Sequence, residues 1–310
     1  MKSIINSKTA FARFNLLNLS YTLLVILWGA FVRASGSGAG CGDHWPLCNG
    51  EVIPTPEKLQ TLIEFAHRAT SGISLILVVL GFLWALKLAE KHSMVRRVAF
   101  ITVMAIILEA LLGAALVLLK LVEFDQSLAR VISISLHLVN TLFLLASVTT
   151  LTYISRELKY FGPMKDRFIP RSKLFWSAAI VFAVLGVTGA ITALGDTLFP
   201  SATLMSGMAQ DFKPGAHFLV RLRAIHPFLA MLWIGVVFTW SRDLETLDLK
   251  GIRALLLGLV ITQFLVGFLN WALMAPNTLQ LLHLLVADLV FISLWISGLK
   301  YETRESCIQA

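Results

Sequence analysis

The chain has 310 residues, of which 57% are hydrophobic and only 14% are charged, and its formal net charge at pH 7 is +8. About a quarter of the residues in a soluble globular domain are charged, so this composition excludes that class and indicates a polytopic membrane protein. A basic excess can serve nucleic-acid binding, but in a membrane protein it usually marks the cytoplasmic loops.

Hydrophobic segments follow one another along the whole chain. A transmembrane helix needs about 20 mostly apolar residues. Eight segments meet this requirement, at residues 14–34, 61–86, 98–119, 131–153, 174–194, 222–240, 254–274 and 279–299. The sequence therefore predicts an all-α protein with eight transmembrane helices.

The distribution of basic residues predicts the orientation of these spans. Lysine and arginine concentrate before the first span and after the second, fourth and sixth spans, whereas the alternate connections hold fewer for their length. Basic connections stay on the cytoplasmic side, so we expect both termini to be cytoplasmic. The positive charge is then an orientation signal, and nucleic-acid binding has no remaining support.

The two halves of the chain carry related motifs in the same order. The first span ends in WGAFVRASGSG (28–38) and the fifth in TGAITALGDT (188–197), while the third holds EALLG (109–113) and the seventh QFLVG (263–267). These matches predict one four-helix bundle used twice in the same orientation. We expect an N-terminal half at 1–155, a cytoplasmic linker at 156–173 and a C-terminal half at 174–310.

Four of the seven histidines lie inside predicted spans, each a few residues from the outer end of its helix: His67, His137, His226 and His283. Polar groups in hydrocarbon are costly and usually functional. Zinc or copper needs three or four converging ligands, whereas two histidines per four-helix unit suit a planar macrocycle held by two axial imidazoles. The sequence predicts two haem sites near the outer face, one on His67 and His137 and one on His226 and His283.

The two halves differ three residues before the first histidine of each pair. Glu64 precedes His67, whereas Arg223 precedes His226. A carboxylate beside a haem edge can accept a proton, and an arginine can pair with haem propionates, so the first half is predicted to be the reactive one. The alternative is that Glu64 is only an interfacial charge paired with Arg68. The arginines near the outer surface are candidate propionate partners: Arg33, Arg68, Arg130, Arg221 and Arg223.

The loop RASGSGAGCGDHWPLCNG (33–50), followed by EFAHR (64–68) and three further histidines on even-numbered spans, resembles the haem A synthase family of bacteria and mitochondria. The resemblance implies oxidation of the C8 methyl of haem O to a formyl group, through successive hydroxylation and loss of water, to give haem A for terminal oxidases. It implies haem O as substrate in the N-terminal half and haem b as cofactor in the C-terminal half. It also implies a multi-pass protein of the cell membrane, surrounded by lipid and supplied by haem O synthase.

Transferred by motif, the resemblance makes Glu64 the catalytic carboxylate, places His67 and His137 beside the substrate haem, and makes His226 and His283 the ligands of haem b. The chain departs from the family pattern at two points. Six residues separate Cys41 and Cys48, where the family commonly has five, and Pro227 follows the third histidine, where many relatives have arginine.

Cys41 and Cys48 lie in the predicted outer loop after the first span. In an oxidising compartment two nearby cysteines favour a disulfide, and the alternative is a metal site completed by Asp43 and His44.

Two other functions stay open on the sequence. A non-catalytic di-haem membrane cytochrome b would use the same histidine pairs only for electron transfer, because bis-histidine haems usually do so. A haem exporter or chaperone would explain placement near one face but not the duplicated ligand pairs. Whether the protein forms a homo-oligomer is also left open.

Overall fold

The computed structural model describes residues 2–55, 58–163 and 170–309. Within these ranges the regular structure is helical, with one short 3₁₀ turn at Leu158–Phe161 and no β-strand. The α-helices are α1 (Lys2–Ala34), α2 (Leu59–Leu88), α3 (Met94–Leu118), α4 (Leu128–Ile154), α5 (Lys173–Leu198), α6 (Leu204–Asp211), α7 (Phe218–Leu222), α8 (Ile225–Thr246), α9 (Lys250–Ala272) and α10 (Asn277–Gln309).

Eight segments of the described chain are long and apolar enough to cross a membrane, which confirms the predicted class and the number of spans. They are Asn6–Ala34, Leu59–Leu88, Met94–Leu118, Leu128–Ile154, Lys173–Leu198, Phe218–Thr246, Lys250–Ala272 and Asn277–Ser306. Most helices are longer than the predicted spans, because helical hydrogen bonding continues into polar residues at their ends. At α3, for example, the Ser93 side chain accepts a hydrogen bond from the Arg96 N–H and caps the helix before the apolar run begins.

The sixth span begins before the predicted residues 222–240, in a segment that the sequence assigns to a connection. It is divided between α7, which ends at Leu222, and α8, which begins at Ile225. Pro227 is the third residue of α8, where a missing N–H is tolerated because the first N–H groups of a helix have no intrahelical acceptor. The preceding connection also contains α6, started by a capping box between Thr203 and Ser206, where the sequence predicted only loop.

The described chain divides into two compact units. The first consists of the described residues up to 120 together with 140–163, and the second of 121–139 together with 170–309. Helix α4 therefore contributes its first part to the second unit and its remaining part to the first. The predicted functional halves and their repeated bundle stay a prediction.

In the first unit, α1 and α2 are fixed against each other at both ends. Phe11 of α1 is fully buried, with its ring 5.6 Å from Trp84 of α2 and 6.2 Å from Phe161, measured between centroids. At the other end the Trp28 Nε1–H donates to the Ile63 carbonyl at 3.1 Å. These contacts set the position of the part of α2 that carries Glu64 and His67.

In the second unit, an aromatic core joins α5, α8 and α10. Phe175 packs against Trp240 and Trp295, with centroid distances of 5.7 and 5.6 Å. Gly298 allows this packing, since a Cβ there would lie 2.4 Å from the Phe175 ring. The Trp240 Nε1–H donates to the Ser297 hydroxyl at 2.8 Å. The core holds the ends of these helices farthest from His226 and His283.

Candidate functional site

The loop after α1 contains a disulfide between Cys41 and Cys48, and both residues are buried. The metal alternative has no support in the described residues, which contain no group of three or more histidine, cysteine, aspartate or glutamate side chains able to hold a metal ion. Asp43, one of its expected ligands, instead pairs with the exposed Lys120 at 2.6 Å. The loop is therefore a small covalent ring.

Glu64 is a buried carboxylate beneath this ring, with only 3% of the residue exposed. Its Oε2 accepts the Cys41 N–H at 2.8 Å. Its Oε1 accepts from Arg68 Nε at 3.1 Å and from Arg68 Nη2 at 2.5 Å. Both oxygens thus have donors that stabilise the charged form, and the carboxylate is held in one orientation.

Arg68 connects α2 to the disulfide ring. Besides Glu64, its Nη1 donates to the carbonyls of His44 at 2.6 Å and Leu47 at 2.7 Å. Close backbone contact supports the same junction, since a Cβ on Gly40 would lie 2.4 Å from the Gln60 carbonyl oxygen. The predicted pairing of Glu64 with Arg68 is present, and the pair also anchors the loop over the start of α2.

Each of the four intramembrane histidines lies six to nine residues after the first residue of its span. His67 packs against α1, where a Cβ on Gly29 would lie 2.9 Å from the His67 ring. His137 belongs to the second unit and His67 to the first, so their sharing of one haem stays a prediction.

The second unit brings His226 and His283 together, with ring centroids 6.4 Å apart. Each ring lies on a glycine of a neighbouring helix, because a Cβ would approach His226 within 2.9 Å at Gly189 and His283 within 2.8 Å at Gly267. His226 Nδ1 lies 3.3 Å from the Thr188 hydroxyl, and His283 Nε2 lies 3.2 Å from Gln263 Nε2.

This pair would suit a haem held by two imidazoles. The two rings are neighbours and each is fixed against a glycine, so both could serve one haem iron. His283 Nδ1 is buried and has no hydrogen-bond partner among the residues described. Histidine is a common axial ligand of haem iron.

Arg223, at the position that matches Glu64, is also buried and paired. Its Nη1 lies 3.0 Å from Asp196 Oδ1, and its Nη2 lies 2.9 Å from Asp211 Oδ1 and 3.1 Å from Gln210 Oε1. Burial raises the pKa of the Asp211 carboxyl, an effect that the nearby Arg223 guanidinium only partly offsets. In this unit Arg223 therefore holds α6 against the start of the sixth span through its contacts with Gln210 and Asp211.

The other arginines predicted to meet haem propionates occupy different settings. Arg130 is buried and donates through Nη1 to the carbonyls of Glu123 and Asp125, each at 2.7 Å. Arg221 is exposed, and Arg33 is half-buried in the last turn of α1. Their contacts with propionates stay predictions.

Sequence reasoning missed the cluster around Arg223, because Asp196 and Asp211 lie far from it along the chain and α6 was not predicted. In the first unit, a carboxyl inside a span is expected to bond to a neighbouring helix, and Glu109 does so. It accepts from Asn140 Nδ2 at 2.6 Å and from the Thr141 hydroxyl. The sequence did not identify these two partners.

Residues 12–295 match the family model of COX15-CtaA, described as cytochrome oxidase assembly protein. A "Heme A synthase" of Alkalihalophilus pseudofirmus is 30% identical over 290 residues, which cover 91% of this chain and 92% of that protein. A "Heme A synthase" of Staphylococcus saprophyticus is 32% identical over 303 residues, covering 91% and 94%.

A longer relative, "Protoheme IX farnesyltransferase" of Thermus thermophilus, is 40% identical over 292 residues. The match covers 91% of this chain but 47% of that protein. The chain thus spans about half the length of the Thermus relatives that it matches.

Proposed function

We propose, from the premise that this chain belongs to the COX15-CtaA family of cytochrome oxidase assembly proteins, that it is a haem A synthase. In this proposal it oxidises the C8 methyl group of haem O to a formyl group and so makes haem A for terminal oxidases. The observation that carries the proposal is the buried Glu64 carboxylate, one turn from His67 and covered by the disulfide ring.

Glu64 is proposed to take up a proton released as the substrate methyl group is oxidised, while the electrons of that oxidation pass to a separate electron acceptor. A general base must be close to the proton that it removes and keep its orientation. The Cys41 N–H and the Arg68 guanidinium hold both carboxylate oxygens. In the same proposal His67 and His137 flank haem O, and the ring closed by Cys41 and Cys48 limits the access of water.

His226 and His283 are proposed to hold haem b as its axial ligands. When bound, this group supplies a one-electron redox centre. The chain's own part is to fix both imidazoles, which the glycine contacts at Gly189 and Gly267 support. Arg223, unlike Glu64, cannot accept a proton, and this favours a stable cofactor site in the second unit over a second reactive one.

The proposed source of haem O is a protoheme IX farnesyltransferase, that is, a haem O synthase. Relatives about twice as long as this chain carry that name and include a segment similar to it. Such a relative joins a segment similar to this chain to a further segment in one protein. This arrangement supports direct transfer of haem O from the farnesyltransferase to the proposed haem A synthase.

The proposed location is the cell membrane, with both haem sites near the outer face and both termini in the cytoplasm. The eight apolar helices and the basic connections after the second, fourth and sixth spans support this orientation.

A di-haem cytochrome b that only transfers electrons is the second candidate, and the facing imidazoles of His226 and His283 favour it equally. The two functions differ in their product. Cells that supply haem O and express this protein should yield a haem with a formyl group when pigments are extracted and analysed by mass. Unmodified haem O alone, from protein with both haem sites filled, would contradict the synthase and favour the cytochrome.

A Glu64→Gln variant tests the assigned base. It keeps the size of the side chain but not its charge, so we expect the rate of haem A formation to fall about 10²-fold or more, with haem b content unchanged. The matched control is Glu51→Gln, which alters an exposed carboxylate of the same loop and should leave the rate unchanged. Formation of haem A at the full rate by the Glu64 variant would remove that residue's role.

A further inference from the structure

A polar seam, formed by Asn15 and Asn18 of α1 and Thr149 of α4, is buried inside the first unit. These residues are only 1%, 4% and 1% exposed. Among the described residues there is no hydrogen-bond partner for Asn15 Oδ1 and Nδ2, Asn18 Oδ1 or Thr149 Oγ1. Buried polar groups are nearly always paired, so four unpartnered atoms in one interface require an explanation.

The three side chains face one interface. The Thr152 hydroxyl donates to the Asn15 carbonyl at 3.1 Å, which places α1 against α4 at this level. Asn18 is one helical turn beyond Asn15, and Thr149 is one turn before Thr152. Because the first and fourth spans cross the membrane in opposite directions, both steps lead to the same level.

Neighbouring side chains do not satisfy these atoms. The Thr22 hydroxyl bonds to the Asn18 carbonyl within α1 at 2.8 Å, and the Thr152 hydroxyl also bonds to the Val148 carbonyl. On α2, Gly81 offers no side chain, and a Cβ there would lie 3.8 Å from Asn15 Oδ1.

A cavity of about 490 Å³ lies near the N-terminal end of α1, and residues on either side of Asn15 in the chain line it. Its lining includes Asn6, Thr9, Arg13 and Trp84, and also Phe14, which touches the Gly81 position next to Asn15. Polar and charged groups thus line the cavity at the helix end, and Phe14 and Leu17 stand between it and the buried amides.

We propose that water molecules enter from this cavity and occupy the polar seam. The unpartnered atoms include both donors and acceptors and carry no net charge, which suits water better than an ion. A buried water typically makes about three hydrogen bonds, and the two amides and the Thr149 hydroxyl can supply them. This inference does not depend on the proposed catalytic function.

Cysteine labelling tests the access of water. In a Cys307→Ser background, Asn18→Cys in the purified protein should react with a small cationic thiol reagent at least about tenfold faster than Leu24→Cys, because only the thiolate reacts and an apolar setting suppresses it. Leu24 is the matched control, since it lies on the same helix and is 63% exposed on the surface that a span turns to lipid.

An isosteric variant provides a second test. If water bonds to Asn15, then Asn15→Leu should lower the melting temperature, because the change leaves the water and its remaining partners unsatisfied; in a dry seam it should raise it by removing an unpaired amide. Thr22→Val, whose hydroxyl already bonds within its own helix, should change the melting temperature less. Equal labelling rates, or a melting temperature raised by Asn15→Leu, would overturn the proposal.

Discussion

Three of the four intramembrane histidines pack against a glycine of another helix: His67 on Gly29, His226 on Gly189 and His283 on Gly267. Because glycine has only a hydrogen atom as its side chain, the two helices can approach closely. The imidazole then fits against the glycine in only one orientation. The orientation of each proposed ligand is thus set by a residue that contributes no chemistry of its own.

Gly267→Ala tests this arrangement. The new Cβ would lie 2.8 Å from His283 Cε1, so the ring must move, at a typical overpacking cost of about 1–3 kcal/mol. If His283 holds haem b as proposed, we expect purified protein to lose most of this haem, measured by the absorbance of the pyridine haemochrome. Gly258→Ala, on the same helix with no atom within 4 Å of its Cβ, should retain it. Equal haem content in both variants would contradict this role of Gly267.

At the scale of elements, each unit has one charged residue near the start of a helix that forms ion pairs and hydrogen bonds with the preceding connection. Glu64, with Arg68, binds the disulfide ring, and Arg223, with Asp196 and Asp211, binds α6. The residues at the matching helix position have opposite charges, so a connection is held in both units while only the first unit has a carboxylate at that position.

The attachment of α6 should depend on pH through Asp211. Burial raises the pKa of this carboxyl above its ordinary value of 3.8, so the folded state binds more protons than the unfolded state. The contribution of Asp211 to stability therefore falls as the pH rises above about 4 and through the raised pKa of the folded state. Thermal melting of wild type and Asp211→Asn across this range should show the variant gaining relative to wild type as pH increases. A constant difference would contradict the sign.

The sequence predicts the long spans better than the short helices in the connections between them. Runs of apolar residues are long, and hydropathy predicts each of the eight. Helix α7 was missed because it precedes the predicted sixth span, and its five residues are too few to stand out by hydropathy. Helix α6 is amphipathic, but its eight residues are too few for the helical spacing of apolar residues to be recognised in the sequence.

At the scale of the whole molecule, the even number of spans and the distribution of basic residues predict which connections face the cytoplasm. In a Cys307→Ser background, Met205→Cys on α6 should react with a membrane-impermeant thiol reagent in intact cells, because its side chain is 75% exposed in a predicted outer connection. Lys91→Cys, exposed between α2 and α3, should react only after the cells are permeabilised. The opposite pattern would reverse the proposed orientation.

The candidate site could be anticipated as residue types but not as contacts. Histidines repeated at one depth predicted ligands, and the contrast between Glu64 and Arg223 at matching positions singled out Glu64 before the resemblance gave it a catalytic role. No spacing argument shows that Arg68 reaches the carbonyls of His44 and Leu47, because that contact depends on how a loop of some twenty residues folds back onto α2.

The four hydrogen bonds of Arg68 limit which residue types can occupy this position. Nε and Nη2 face one carboxylate oxygen, while Nη1 reaches two carbonyls of a separate ring. A lysine would preserve the charge but has three donors on a single nitrogen and cannot span both targets. The shape of the guanidinium, rather than its charge, therefore determines which residue can serve here. Exchange of this arginine for lysine is conservative in most proteins, but here it would separate the loop from the helix.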